Sequence, residues 1–176
     1  EPLIAWTEQG VTKARWKADN DERPLEGLKV LDLTRVLAGP VCTRTLAGFG
    51  ATVLRIDPPG WGEALVETEV TPGKRLATLD LKTKAGRKTC LNLLKEADIL
   101  VHGYRRDALE KLGLGDDIRR QVNPSLIDVA LNSYGWTGPW SDRRGFDSLV
   151  QMSSGIAHVG MVWKGADVPV PLPVQA

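Results

Sequence analysis

The stretch from Leu25 to Pro59, LEGLKVLDLTRVLAGPVCTRTLAGFGATVLRIDPP, constrains the fold more than any other part of this chain. Val30–Leu33 is a short apolar run, Pro40 stands where a helix can begin, and Thr52–Ile56 is a second apolar run. Proline at the first helical position loses nothing, because that N–H would be unpaired anyway, and Gly48 and Gly50 tolerate the left-handed cap at the helix end. The pattern predicts a strand, a helix over Pro40–Phe49 and a returning strand, the opening βαβ unit of a parallel sheet. Helical spacing puts Val41, Cys42, Thr45, Leu46 and Phe49 on one face, expected to be the buried one. The ligand-facing turn is Thr34–Gly39. It lacks G-x-G-x-x-G, so a dinucleotide-binding oxidoreductase ranks last among the readings.

The regular alternation continues. Ala77–Leu81 reads as a third strand and Lys84–Ala97 as a helix with Cys90, Leu93, Leu94 and Ala97 on its buried stripe. Asp98–Val101 gives a fourth strand, Ala108–Leu112 and Asp116–Val122 short helices, and Leu126–Leu131 a fifth strand. The Gly/Pro-rich loop SYGWTGPWSDRRG leads to a helix over Phe146–Ala157. Strands and helices alternating at these lengths predict the α/β class, a doubly wound, Rossmann-like parallel sheet flanked by helices. The expected organisation is a linker or the tail of a preceding element at 1–24, one domain at 25–160 and an extended connection at 161–176. Glu1 and the terminal VPLPVQA read as cuts in a longer polypeptide.

Composition narrows the partners. A net charge of +1 over 176 residues, 26% of them charged, gives no basic footprint for nucleic acid. No apolar run approaches the roughly 20 residues that cross a bilayer, and the N-terminus resembles neither a signal nor a transit peptide. The two cysteines, Cys42 and Cys90, are expected on apolar helix faces and imply no disulfide or metal framework, which favours a reduced, cytoplasmic setting. His102 and His158 have no carboxylate or thiol at ligand spacing, so both read as structural or exposed and no metal is expected.

Ligands of such sheets bind at the carboxyl ends of the strands. The loops there hold Val36, Leu37 and Ala38, then Tyr104, Arg105 and Arg106, then Tyr134, while Lys74 and Arg75 follow a glycine before the third strand. Together they suit a long, flexible ligand with a flat ring and phosphates. Each has a plainer reading: the Val36–Ala38 turn can pack the crossover, Lys74 and Arg75 can be a solvated pair, and Tyr104 can be a core aromatic. Asp32, inside LDLT, reads as a turn or capping residue, and Asp147 as a cap of the helix behind it.

The runs GLKVLDLTRVLAGP, GATVLRIDPPG, GKRLATLDLKTKAGR, ADILVHGYRRDALEKLGL, NPSLIDVALNSYGWTGP and RRGFDSLVQMSSG occur in this order over about residues 25–160. In this they resemble the class III CoA-transferases (the CaiB/BaiF family), whose superfamily includes α-methylacyl-CoA racemases. The resemblance implies a CoA-binding domain, acyl-CoA and a carboxylic acid acceptor as substrates, an interlocked homodimer and no metal. It implies transfer through an aspartate by mixed anhydrides and an aspartyl-CoA thioester. Residue by residue, Val36, Leu37 and Ala38 match the turn along the CoA adenine and pantetheine. Lys74 and Arg75 match a Lys-Arg pair, Tyr104 and Arg105 the aromatic and arginine of an Asn-Phe-Arg-Pro-Gly loop, and Ala108, Lys111 and Leu112 the positions after it. Tyr134 matches the tyrosine of a Gly-Tyr-Gly loop. The loop asparagine is replaced by Gly103, the proline by Arg106 and the glycine by Asp107. Where the racemases carry a histidine base, this chain has Phe146, which cannot take a proton and disfavours a racemase. The nucleophilic aspartate is expected beyond residue 176, shortly after the Pro169–Ala176 segment. The alternatives are an acyl-CoA racemase or epimerase of the same superfamily and a non-catalytic acyl-CoA-binding domain.

Overall fold

The computed structural model describes residues 4–8, 10, 13, 16–17, 23–64, 66–105 and 107–172. Its described residues fall into two compact units, one within Ala5–Leu131 and the other comprising Ile4 and the residues from Asn132 onward.

The first unit is a five-stranded sheet, all parallel, in the order β3-β2-β1-β4-β5. The strands are β1 (Lys29–Leu33), β2 (Thr52–Asp57), β3 (Lys74–Thr78), β4 (Ile99–His102) and β5 (Ile127–Ala130). The intervening helices are α1 (Ala38–Gly48), α2 (Glu67–Val70), α3 (Lys84–Glu96), α4 (Ala108–Lys111) and α5 (Asp116–Val122). The Rossmann-like expectation holds.

Successive strand residues point to opposite faces, and the core splits accordingly. Leu31, Leu33, Ile56 and Leu100 pack with Cys90 and Leu94 of α3, while Val30, Val53 and Val101 pack with Ala47 of α1. Burying these side chains on both faces is the main stabilising term, at roughly 25 cal/mol per Å² of apolar surface.

Three expectations need correction. β3 begins three residues before the expected Ala77, because its register runs from Val53↔Lys74 to Asp57↔Thr78. Edge strand β3 is largely exposed, so no hydrophobic pattern marks its limits. The expected strand end instead forms a turn, in which Thr83 caps the start of α3: its hydroxyl oxygen accepts from Gly86 N at 3.0 Å. On α1 the buried residues are Gly39, Pro40, Thr43 and Ala47, whereas Val41, Cys42 and Phe49 are exposed. Small residues let this helix sit close over a polar layer on the sheet.

The second unit carries α6 (Asp147–Ser154) and α7 (Ile156–Lys164), broken at Gly155, whose φ of 85° is left-handed. The expected single helix over Phe146–Ala157 is therefore two, and α7 runs into the segment expected to be extended from residue 161. Its apolar residues carry the helical pattern on until left-handed Gly165 ends it, with Ala166 N donating to Met161 O. Asp147 is the first residue of α6, not its cap; it accepts from Gln151 Nε2 at 2.7 Å. The reading of 1–24 lies largely outside the described residues, although Trp16 packs beside Leu28 and donates its indole N–H to Glu26 O.

Candidate functional site

In this strand order the direction of winding reverses between β1 and β4, so the crevice lies between the loops that leave them. One wall is the turn after Leu33, the other the loop after His102.

Below the turn is a buried charged layer. Asp32 is fully buried and accepts from Thr34 N at 2.9 Å and from the hydroxyls of Thr34 and Thr43. Lys74 Nζ donates to Asp32 Oδ2 at 2.9 Å and to Pro40 O at 2.8 Å. Both side chains of this ion pair are 0% exposed. Burial lowers the Lys74 pKa more than Asp32 restores it. Asp32 thus ties together β1, α1 and β3, a wider role than the local turn or cap expected of it. The Lys74 ammonium keeps a third donor, but a side chain that is 0% exposed offers a phosphate no direct contact unless this layer opens. Arg75, next in sequence, is exposed.

Val36 has a φ of 67°, the only positive φ at a described non-glycine residue. A β-branched side chain resists that conformation, at a cost on the order of 1–3 kcal/mol. Its N–H donates to Glu63 Oε1 at 2.5 Å, while Glu63 Oε2 accepts from Arg55 Nη2 at 2.6 Å. Val36 and Leu37 are half-buried and Ala38 is exposed. Gly39 permits no side chain: a Cβ there would lie 2.4 Å from Thr34 Cγ2.

Arg55 is only 2% exposed and is bonded to Asp57 as well as Glu63. Burial disfavours its charge, yet those two carboxylates raise its pKa. Its Nη1 is buried without a hydrogen-bond partner among the described residues. Arg35 lies 3.3 Å from Asp57 Oδ1 and over the Trp61 ring at 5.6 Å. Arg35, Arg55, Trp61 and Glu63 were not identified from sequence. An arginine amid the apolar VLRID strand was the available signal, since a charge at a core position needs buried partners.

Across the crevice Tyr104 is half-buried against the α3-side core, and burial raises its phenol pKa. Gly103 and Arg105 are exposed, Ala108 and Leu112 half-buried, and exposed Lys111 is paired with Asp107. Arg106 lies outside the described residues. His102 is buried, its Nε2 3.4 Å from Asp128 Oδ1, and Arg119 Nε donates to Asp128 Oδ2 at 2.6 Å. Burial opposes the Asp128 charge, but His102 and Arg119 outweigh it and lower the carboxyl pKa. His102 therefore has a carboxylate partner, 26 residues away and invisible to local spacing; His158 is exposed. Among the described residues no group of three or more potential metal ligands comes together, and no helix is long and apolar enough to cross a membrane.

Tyr134 belongs to the second unit. Its N–H donates to Asn132 Oδ1 at 2.8 Å, its hydroxyl is 3.1 Å from Ser153 Oγ, and its ring meets Trp140 edge-on at 5.5 Å.

The five-stranded parallel sheet with its switch point between β1 and β4 defines a Rossmann-like α/β domain. Residues 25–174 match the family model described as CoA-transferase family III. The chain is 35% identical over 165 residues to succinyl-CoA:glutarate CoA-transferase of Homo sapiens, covering 86% of this chain and 38% of that protein. An acyl-CoA transferase of Fusarium pseudograminearum is 34% identical over 163 residues, 81% of this chain and 36% of the relative. The solved structure of Rv3272 from M. tuberculosis superposes with a TM-score of 0.75 at 34% identity, covering 89% of this chain and 46% of that one. The chain belongs to CoA-transferase family III. It spans under two-fifths of the length of these two curated relatives.

Proposed function

We propose that this chain is the CoA-binding portion of an enzyme that moves CoA between two carboxylic acids. The family match over 25–174 carries the reading, and the switch-point crevice supports it chemically. CoA lies with its adenine near Val36–Ala38 and Tyr104. Arg75, Arg105 and Lys111 are its basic contacts at the rim, Gly103 leaves room for pantetheine, and Ala108 and Leu112 back the loop. Lys74 acts from below, by fixing Asp32 and the turn.

Transfer runs through an aspartate beyond residue 176. Its carboxylate attacks the donor thioester, CoA leaves as thiolate, and a mixed anhydride forms. The thiolate then attacks the aspartyl carbonyl, releasing the donor acid and leaving an aspartyl-CoA thioester. The acceptor carboxylate repeats both steps in reverse order, and the aspartate is regenerated. We assign the full protein to the cytoplasm as an interlocked homodimer.

Calorimetric titration of the intact protein with CoA tests the binding, and absence of binding would sink it. The purified 176-residue chain is expected to bring about no transfer; turnover by it would place the nucleophile inside these residues.

A further inference from the structure

We propose that Glu63 is a positioning residue for the ligand turn: its carboxylate holds Val36 in the left-handed conformation that shapes the apolar wall. The proposal rests on reading that turn as a wall of the CoA site. Valine has no local reason to adopt a φ of 67°, because its branched Cβ crowds the backbone there. Something from outside the turn must hold it. Asp32 fixes one end through Thr34 N, and Lys74 fixes the other through Pro40 O. The middle is held from the loop after β2, by Glu63 Oε1 on Val36 N at 2.5 Å.

Glu63 is in turn fixed by Arg55 Nη2 on its second oxygen at 2.6 Å, and its side chain is only 7% exposed. A charged acceptor in a dry site makes a strong hydrogen bond, and Arg55 sets its direction. The carboxylate therefore bridges the ends of β1 and β2. Without it the turn relaxes to unstrained backbone, and apparent CoA affinity falls by the fraction of molecules that still hold the competent shape.

Glu63→Gln separates the two bonds of the bridge. A glutamine has one oxygen, and the buried guanidinium is the stronger claimant, so the amide NH2 is left facing the Val36 N–H. The test uses the intact protein as wild type, Glu63→Gln, Val36→Gly and the double variant. CoA affinity is measured by calorimetry, and backbone amide exchange over residues 34–39 by mass spectrometry. Glu63→Gln is expected to weaken CoA about tenfold and to accelerate exchange in the turn. In the Val36→Gly background, where left-handed backbone needs no holding, the same change is expected to cost less than about twofold. Equal losses in both backgrounds, or no loss in either, overturn the proposal, because Glu63 would then act through Arg55 or through general stability. If the wild type ignores CoA while the exchange coupling persists, the CoA reading fails and the clamp stands. Glu63→Asp keeps the charge beside Arg55 but falls one methylene short of Val36; it is expected to give the same pattern if the glutamine variant does not fold.

Discussion

Replacing Lys74 by methionine tests the buried layer most directly. The aliphatic stem is preserved, while the ammonium on Asp32 Oδ2 and Pro40 O is lost. Removing one partner of a buried ion pair costs about 3–5 kcal/mol, because the other charge stays behind without compensation. Asp32 retains three donors, Thr34 N and the hydroxyls of Thr34 and Thr43, which places the expectation at the lower end. A loss of about 3 kcal/mol corresponds to a fall in the urea midpoint of about 1.5 M at a slope of about 2 kcal/mol per M. Adding Asp32→Asn removes the stranded charge, so the double variant should recover about 2 kcal/mol of that loss. Urea unfolding followed by tryptophan fluorescence measures both numbers, with CoA titration alongside. A loss below about 1 kcal/mol for Lys74→Met, together with a fall in CoA affinity of more than about tenfold, would refute the reasoning. It would mean that the ammonium faces the ligand rather than Asp32.

Two further outcomes are expected. Gly39→Ala drives a methyl into Thr34, which Asp32 holds in place, and should destabilise the protein by about 1–3 kcal/mol in the same unfolding assay; unchanged stability would mean the turn is looser than described. Burial pushes the Cys90 thiol from 9.0 up to about 11, against a smaller opposing pull from Arg119. The unfolded thiol ionises first, so its contribution is intact below pH 9 and is lost as pH rises toward 11. Lys74, lowered by burial, changes in the opposite direction, so the diagnostic quantity is wild-type stability minus that of Cys90→Ala. That difference should shrink by on the order of 2 kcal/mol between pH 8 and pH 11, and a constant difference would contradict the assignment.

The parallel sheet was readable from sequence because its determinants are local. Val30–Leu33 and Thr52–Ile56 are apolar runs, and the helix between them ends before Gly50 as expected, although it begins at Ala38, two residues ahead of Pro40. Asp116–Val122 is helical over the residues its pattern indicates. The limits of β3 were not readable, since an edge strand is placed by the hydrogen bonds of its neighbour rather than by burial. The buried side of α1 was misjudged for a related reason. Hydrophobicity favoured Val41 and Phe49, but the polar layer beneath accepts Gly39, Thr43 and Ala47.

For the site, motif order placed Val36–Ala38 and Tyr104 on the two loops that flank the switch point, because such loops sit at fixed places in a doubly wound sheet. It could not say which charges face inward. Lys74, Asp32, Arg55 and Glu63 are as polar as any surface residue in one dimension. A charge becomes structural only when the fold excludes water from it and supplies a partner from a distant segment. The sequence by itself determined the parallel sheet, its family and the loops that leave β1 and β4 at the switch point. Only the tertiary structure decided that Lys74 is held by Asp32, and that a left-handed valine in the turn after β1 donates its N–H to a glutamate 27 residues away.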